Sequence, residues 1–225
     1  MDLKKSTSNG VYRKYVAKGT GVRNMRMFVD QQTQIGVFDE KMKAIEPNYS
    51  KAILHSVWYN AYDIKVLTEQ VSDELGWTLR KFCLEFNEFS LKQDLSGLYK
   101  FFLKVGEPAR VLSSAPRLVK TYTNSLTYEI SANEKGVHKG IVRAPEVFAE
   151  WNLNMFEGFI NGVLKTLEKR IDSFEVFDRN YYQEEDGTWI KYSVCIIYSD
   201  LGSSMIPGTF QKRSPDSSLT FLLPL

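Results

Sequence analysis

A chain of 225 residues with 43% hydrophobic and 13% aromatic side chains can bury a substantial core, which excludes an intrinsically disordered protein. Lys and Arg number 29 against 27 Asp and Glu, a net charge of +2, so no general field for nucleic acid surrounds it. The basic residues Lys4, Lys5, Arg13, Lys14, Lys18, Arg23 and Arg26 read as the solvated start of a domain rather than as an arm for nucleic acid or membrane. No apolar leader follows Met1, and no stretch reaches the roughly 18–20 apolar residues of a membrane span. Cys83 and Cys195 lie far apart in apolar patterns. A single disulfide stays open, but two buried thiols in a cytoplasmic protein is the simpler reading.

In chain order, residues 1–10 are polar and loose, 11–198 form one domain, and 199–225 make a Ser, Gly and Pro-rich tail with an apolar end at Leu219–Leu223. Met25, Met27 and Val29 alternate like a short strand. A helix is expected over Gly36–Ile45, stopped before Pro47, and a second with Ile53, Leu54, Val57 and Trp58 on one face. Ile64, Leu67, Val71 and Leu75 mark a third, ended at Gly76. Trp77, Leu79, Phe82, Cys83, Phe86 and Phe89 give an aromatic helix face, and Leu98, Phe101, Phe102 and Val105 another, ended at Gly106. Pro108 suits a first helical turn, and Pro116 interrupts or restarts the helical stretch after it.

After Asn124 the period becomes two. Leu126, Tyr128 and Ile130 alternate, as do Val137 and Ile141, around the turn residues Asn133–Gly136. Pro145 opens a long helix whose face carries Phe148, Trp151, Met155, Phe159, Val163 and Leu167. Two strands joined by Glu184-Glu185-Asp186-Gly187 close the domain, alternating Phe174/Val176 and Ile190/Tyr192/Val194/Ile196. Helices first, then hairpin, helix and hairpin, make an α+β fold: a helical layer packed on an antiparallel sheet.

The run Asn154-Met155-Phe156-Glu157-Gly158-Phe159-Ile160-Asn161-Gly162-Val163-Leu164, followed by a strand, an acidic Asp-Gly turn and a strand, resembles the signature of 4-vinyl reductase domains. Those share a superfamily with haem nitric-oxide-binding domains and TRAPP vesicle-tethering subunits. Leu75-Gly76, Gly106-Glu107-Pro108-Ala109 and Ser114-Ala115-Pro116-Arg117-Leu118 are similar to uncharacterised myxobacterial proteins of like length. The resemblance implies an often dimeric α+β domain with an interior hydrophobic pocket. The cysteines that the reductase pattern places at the last hairpin are replaced here by Tyr181, Tyr182 and Lys191. The Tyr-x-Ser-x-Arg motif of the haem branch does not occur. The expectation is therefore no cofactor, with haem and zinc both judged unlikely.

Each conspicuous residue has a plain reading beside a sharper one. Gly158 and Gly162, four apart, read as packing against the sheet, with a helix-pair dimer seam as the alternative. Trp58, Tyr62, Trp77, Phe82, Cys83, Phe86, Phe102 and Phe159 are candidates to line a pocket, although an ordinary core uses the same side chains. Cys83 reads as a structural thiol; the resemblance adds acylation or redox sensing as the sharper role. His55 and His138 stand alone, without a second ligand at metal spacing. Glu184-Glu185-Asp186 reads as a solvated turn. With no nucleophile, base and orienter in view, the expected function is a non-enzymatic sensory or regulatory domain. It would bind a small apolar ligand or acyl chain and act as a homodimer or on a protein partner. The alternative is an interaction module without a ligand, using the apolar tail.

Overall fold

The computed structural model describes residues 10–94 and 107–201. A 3-10 turn (Gly10–Lys14) leads through β1 (Val16–Lys18) into α1 (Gly19–Gln32) and α2 (Val37–Ile45). Then come β2 (Trp58–Asn60), α3 (Ala61–Glu74), α4 (Leu79–Asp94), α5 (Pro108–Leu112) and α6 (Ala115–Tyr122). The second half is β3 (Thr127–Glu134), β4 (Val137–Pro145), a 3-10 turn (Glu146–Phe148), α7 (Ala149–Thr166), β5 (Lys169–Glu184) and β6 (Gly187–Asp200). This is the α+β arrangement expected: the main sheet is antiparallel throughout, in the order β3-β4-β6-β5, with helices packed on it.

Two expected elements change type. Met25 and Val29 belong to α1, whose buried face is Val22, Met25, Phe28 and Val29. That 3.6-residue stripe outweighs the alternation of three residues within it. Ile53 to Val57 is irregular rather than helical, and Leu54 is exposed. Trp58 begins β2, which pairs with β1, and the Val57 carbonyl accepts from the Gly19 amide at 2.8 Å. Four apolar residues at helical spacing were too short a pattern to outcompete a strand partner 40 residues upstream. The helix expected at Leu98–Val105 lies outside the described residues.

Other elements follow their local chemistry. The Asn60 side chain caps α3 by accepting from the Tyr62 amide at 2.8 Å and the Asp63 amide at 3.4 Å. The last hairpin turns on Glu185 and Asp186, since Glu184 already pairs with Gly187, whose φ of 126° suits glycine. Asp186 is not simply solvated. It accepts hydrogen bonds from Tyr15 and from Trp189 Nε1 (2.7 Å) and pairs with Lys14, pinning the hairpin tip to the N-terminal segment.

The core has two parts separated by α7. On one side Phe156, Ile160, Val163 and Leu164 meet Tyr128, Val142, Ile190, Val194 and Ile196 of the sheet. On the other, Trp151 joins a helical cluster built from Val22, Met25, Phe28, Leu67, Phe82 and Phe86. Gly158 and Gly162 face α4 and not the sheet. A Cβ at Gly158 would sit 2.4 Å from the Cys83 carbonyl oxygen, and one at Gly162 2.4 Å from Leu91 Cδ1. The seam they create is internal to the chain. Arg80 locks it from outside by donating to the buried carboxylate of Glu157 with both Nε (2.8 Å) and Nη2.

Candidate functional site

Where the two clusters meet beside this seam, a cavity of about 120 Å3 opens between α1, α4, α6 and α7. Its walls are mostly apolar: Val22, Met25, Phe86, Val119, Leu126, Met155, Phe156 and Phe159. One end is polar. Asp94, at the last turn of α4, accepts from Asn24 Nδ2 (3.0 Å) and from the Tyr122 hydroxyl (2.9 Å). Ser90 accepts from the same Asn24 amide at 2.9 Å. Asn87 donates to the Cys83 carbonyl at 2.8 Å, and Asn152 to the Ser125 carbonyl at 2.7 Å. Buried polar groups that are already paired orient a wall without demanding a partner from a ligand.

Of the eight pocket candidates, Phe86 and Phe159 line this cavity. Phe82 and Cys83 are fully buried in the helical cluster behind it. Trp77 caps that cluster beside Phe28, with the Lys81 ammonium 4.3 Å over its ring. Tyr62 stacks on Tyr12 at 5.5 Å, and Trp58 is 43% exposed under Lys18, so both stand away from the cavity. Phe102 lies outside the described residues. The sequence reading missed the polar lining. Its signal was present, since Asn87, Ser90 and Asp94 interrupt an otherwise aromatic helix at spacings of three and four.

The remaining reactive groups are occupied. Burial pushes the Cys83 thiol far above its ordinary pKa, with the Glu157 carboxylate adding to the effect, so Cys83 is a neutral, shielded thiol. Cys195 is half-buried, with its β6 neighbours Val194 and Ile196 in the core, so it takes the opposite face of the sheet rather than a core position. His138 is fully buried, and burial lowers its pKa to about 4. Its Nδ1–H donates to Asn133 Oδ1 (3.1 Å), which leaves Nε2 to accept from the Tyr128 hydroxyl (2.7 Å). His55 accepts from Arg23 at the surface. Among the described residues no group of three or more His, Cys, Asp or Glu could hold a metal ion. No helix among them is long and apolar enough to cross a membrane.

No family model and no curated protein matches the chain. Solved structures do. An oxygen-binding H-NOX domain related to soluble guanylate cyclases, in its oxygen complex, is similar at a TM-score of 0.57 and 16% identity, over 82% of this chain and 96% of that one. An unliganded Fe(II) H-NOX mutant from K. algicida gives 0.59 and 13%, over 80% and 96%. A structure probing haem distortion in the H-NOX family gives 0.59 and 16%, over 81% and 95%. The chain therefore has the fold of H-NOX domains.

This overturns the expectation that haem could be set aside because the Tyr-x-Ser-x-Arg motif is missing and His138 and His55 fall in a predicted hairpin and a predicted helix: the chain shares its fold with domains described by their haem. The lining residues able to ligate haem iron are Met25, Met155 and Tyr122, and neither histidine is among them. Each already holds a hydrogen bond: Met25 Sδ from Thr68 (3.6 Å), Met155 Sδ from Asn87 (3.7 Å), and Tyr122 to Asp94 (2.9 Å). None of the three is an imidazole and all are engaged within the protein, so this lining as it stands does not fit a haem.

Proposed function

We propose that this domain is a non-enzymatic, cytoplasmic sensor that takes a compact ligand into the cavity between α1, α4, α6 and α7. The observation that carries the reading is an apolar void at the junction of the two core clusters, in a fold shared with ligand-binding H-NOX domains. Protein interiors are otherwise close-packed, so a void of this size needs a reason. Its 120 Å3 compares with an engineered apolar cavity of about 150 Å3 that binds benzene. Drug-sized sites run to roughly 300–1,000 Å3. The volume favours a benzene-sized molecule over a long acyl chain, while a porphyrin requires α4 and α7 to part.

Ligand binding here would act on the α4–α7 seam, because both helices wall the cavity. Benzene titrated into the full chain tests the reading. At a hundred times its Kd, a ligand specific to the folded state adds about 2.7 kcal/mol of stability, read as a rise in Tm. Hemin in a parallel arm gives a Soret band if a porphyrin is taken up. The absence of both a Tm rise and a Soret band would remove the proposal.

A second reading, as an interaction module, is favoured by the edge strand β5. Phe177 (56% exposed), Tyr181 (54%) and Val176 (40%) lie on it, and the edge of β5 away from β6 carries no strand among the described residues. Long exposed edges of this kind pair with other chains. We assign this strand to a homodimer contact, which Phe177→Lys would weaken in sedimentation; a monomeric wild-type chain would refute it. The run from Asn154 to Leu164 also keeps the chain beside the 4-vinyl reductase and TRAPP branches of the superfamily.

A further inference from the structure

Among the described residues, one buried side-chain polar atom has no hydrogen-bond partner, and it belongs to a residue that lines the cavity. Trp151 on α7 is 4% exposed, and its indole Nε1–H meets no acceptor in the protein. The polar groups of the same lining bond elsewhere: Ser90 and Asp94 to Asn24, Asp94 also to Tyr122, and the Asn87 and Asn152 amides to the Cys83 and Ser125 carbonyls. An indole nitrogen donates and never accepts. Such an unpaired donor is rare in a native interior and calls for an explanation, a partner from outside the chain being one.

Resting on the ligand-binding reading above, we infer that the occupant of the cavity is a compact, uncharged molecule bearing one hydrogen-bond acceptor, and that Trp151 Nε1–H is the group that selects and orients it. The acceptor class follows from the donor. The size class follows from the 120 Å3 volume, and the apolar body from the phenylalanine and methionine walls. A carboxylate is disfavoured because Asp94 stands in the same wall. Small ketones, aldehydes and ethers satisfy all of these conditions. A bare hydrocarbon satisfies all but the first.

Cyclopentanone and cyclopentane are the matched probes, equal in ring and different by one carbonyl. Their Kd values are measured on the full chain and on Trp151→Phe, which keeps an aromatic ring and removes the donor. One net hydrogen bond corresponds to about a fivefold change. The preference for ketone over hydrocarbon should therefore fall about fivefold in the variant, with cyclopentane binding little changed. In the wild-type chain, the Trp151 indole N–H proton resonance should move downfield with cyclopentanone and stay in place with cyclopentane. This second readout stands even if Trp151→Phe fails to fold. If both probes bind, with the same preference in both proteins and no indole shift, the donor meets only water and the inference is overturned while the cavity reading survives. If neither probe binds the wild-type chain, the cavity reading itself fails.

Discussion

Replacing Gly158 by alanine tests the α4–α7 seam, because the result depends on a distance rather than on composition. In a free helix the change is stabilising by about 1 kcal/mol, since glycine is the poorer helix former. Here the new Cβ would lie 2.4 Å from the Cys83 carbonyl oxygen, 2.8 Å from Asn87 Nδ2 and 2.9 Å from the Cys83 carbonyl carbon. Ordinary contact begins at 3.4 Å, so the helices must separate by about 1.0 Å against backbone atoms that have no rotamer to escape into. Overpacking of this kind costs roughly 1–3 kcal/mol, with backbone clashes at the upper end. The net expectation is a loss of about 2 kcal/mol. Gly162→Ala is the internal control. Its obstacle is Leu91 Cδ1, the tip of a flexible side chain, and the nearest backbone atom is 3.4 Å away. Rotation of Leu91 relieves it, and the helix propensity gain brings the net change within about 1 kcal/mol of zero. Urea unfolding reads both as midpoint shifts at constant m-value. Equal midpoints for the two variants, or a Gly158→Ala protein more stable than wild type, would refute the argument.

Other expectations rest on the same contacts. Because burial lowers the His138 pKa to about 4, the unfolded chain protonates first, near 6.5. The native state therefore keeps its full stability above about pH 6.5 and loses up to about 3 kcal/mol as pH falls toward 4. His138→Gln should flatten that slope; parallel pH profiles would exclude the assignment. Arg80→Ala leaves the buried Glu157 carboxylate without its bidentate partner. Discounted for the exposure of Arg80, this should cost roughly 1–2 kcal/mol, and Arg80→Lys should recover only part, as denaturant midpoints will show. Val119→Phe places a ring in the cavity and should weaken benzene binding at least tenfold while leaving the fold intact by circular dichroism; unchanged affinity would put the ligand elsewhere.

The sheet was the most legible part of the fold. Alternation over Tyr128–Ile130 and Ile190–Ile196 and the acidic turn before Gly187 are local signals, and both hairpins form where they point. Trp58 and Met25 were misread because a strand partner and a helical stripe lie beyond short windows. The glycines on α7 signalled a close approach, but a sequence carries no label for which neighbour approaches; here it is α4. Aromatic enrichment on α4 pointed toward the site through Phe86, whereas Trp58 and Trp77 carry the same side-chain chemistry at the surface and at the rim of a filled core. Val119 on α6, Leu126 in the connection before β3 and Trp151 on α7 meet at the cavity only in three dimensions.

Xenon-pressurised crystals of the full chain give the shortest route to the main proposal, since xenon enters apolar voids without needing a hydrogen bond. The account predicts a strong anomalous peak between Met25, Phe86, Leu126 and Phe156, accompanied by little movement of α4 or α7. A crystal in which side chains fill that space and xenon settles only elsewhere would contradict it.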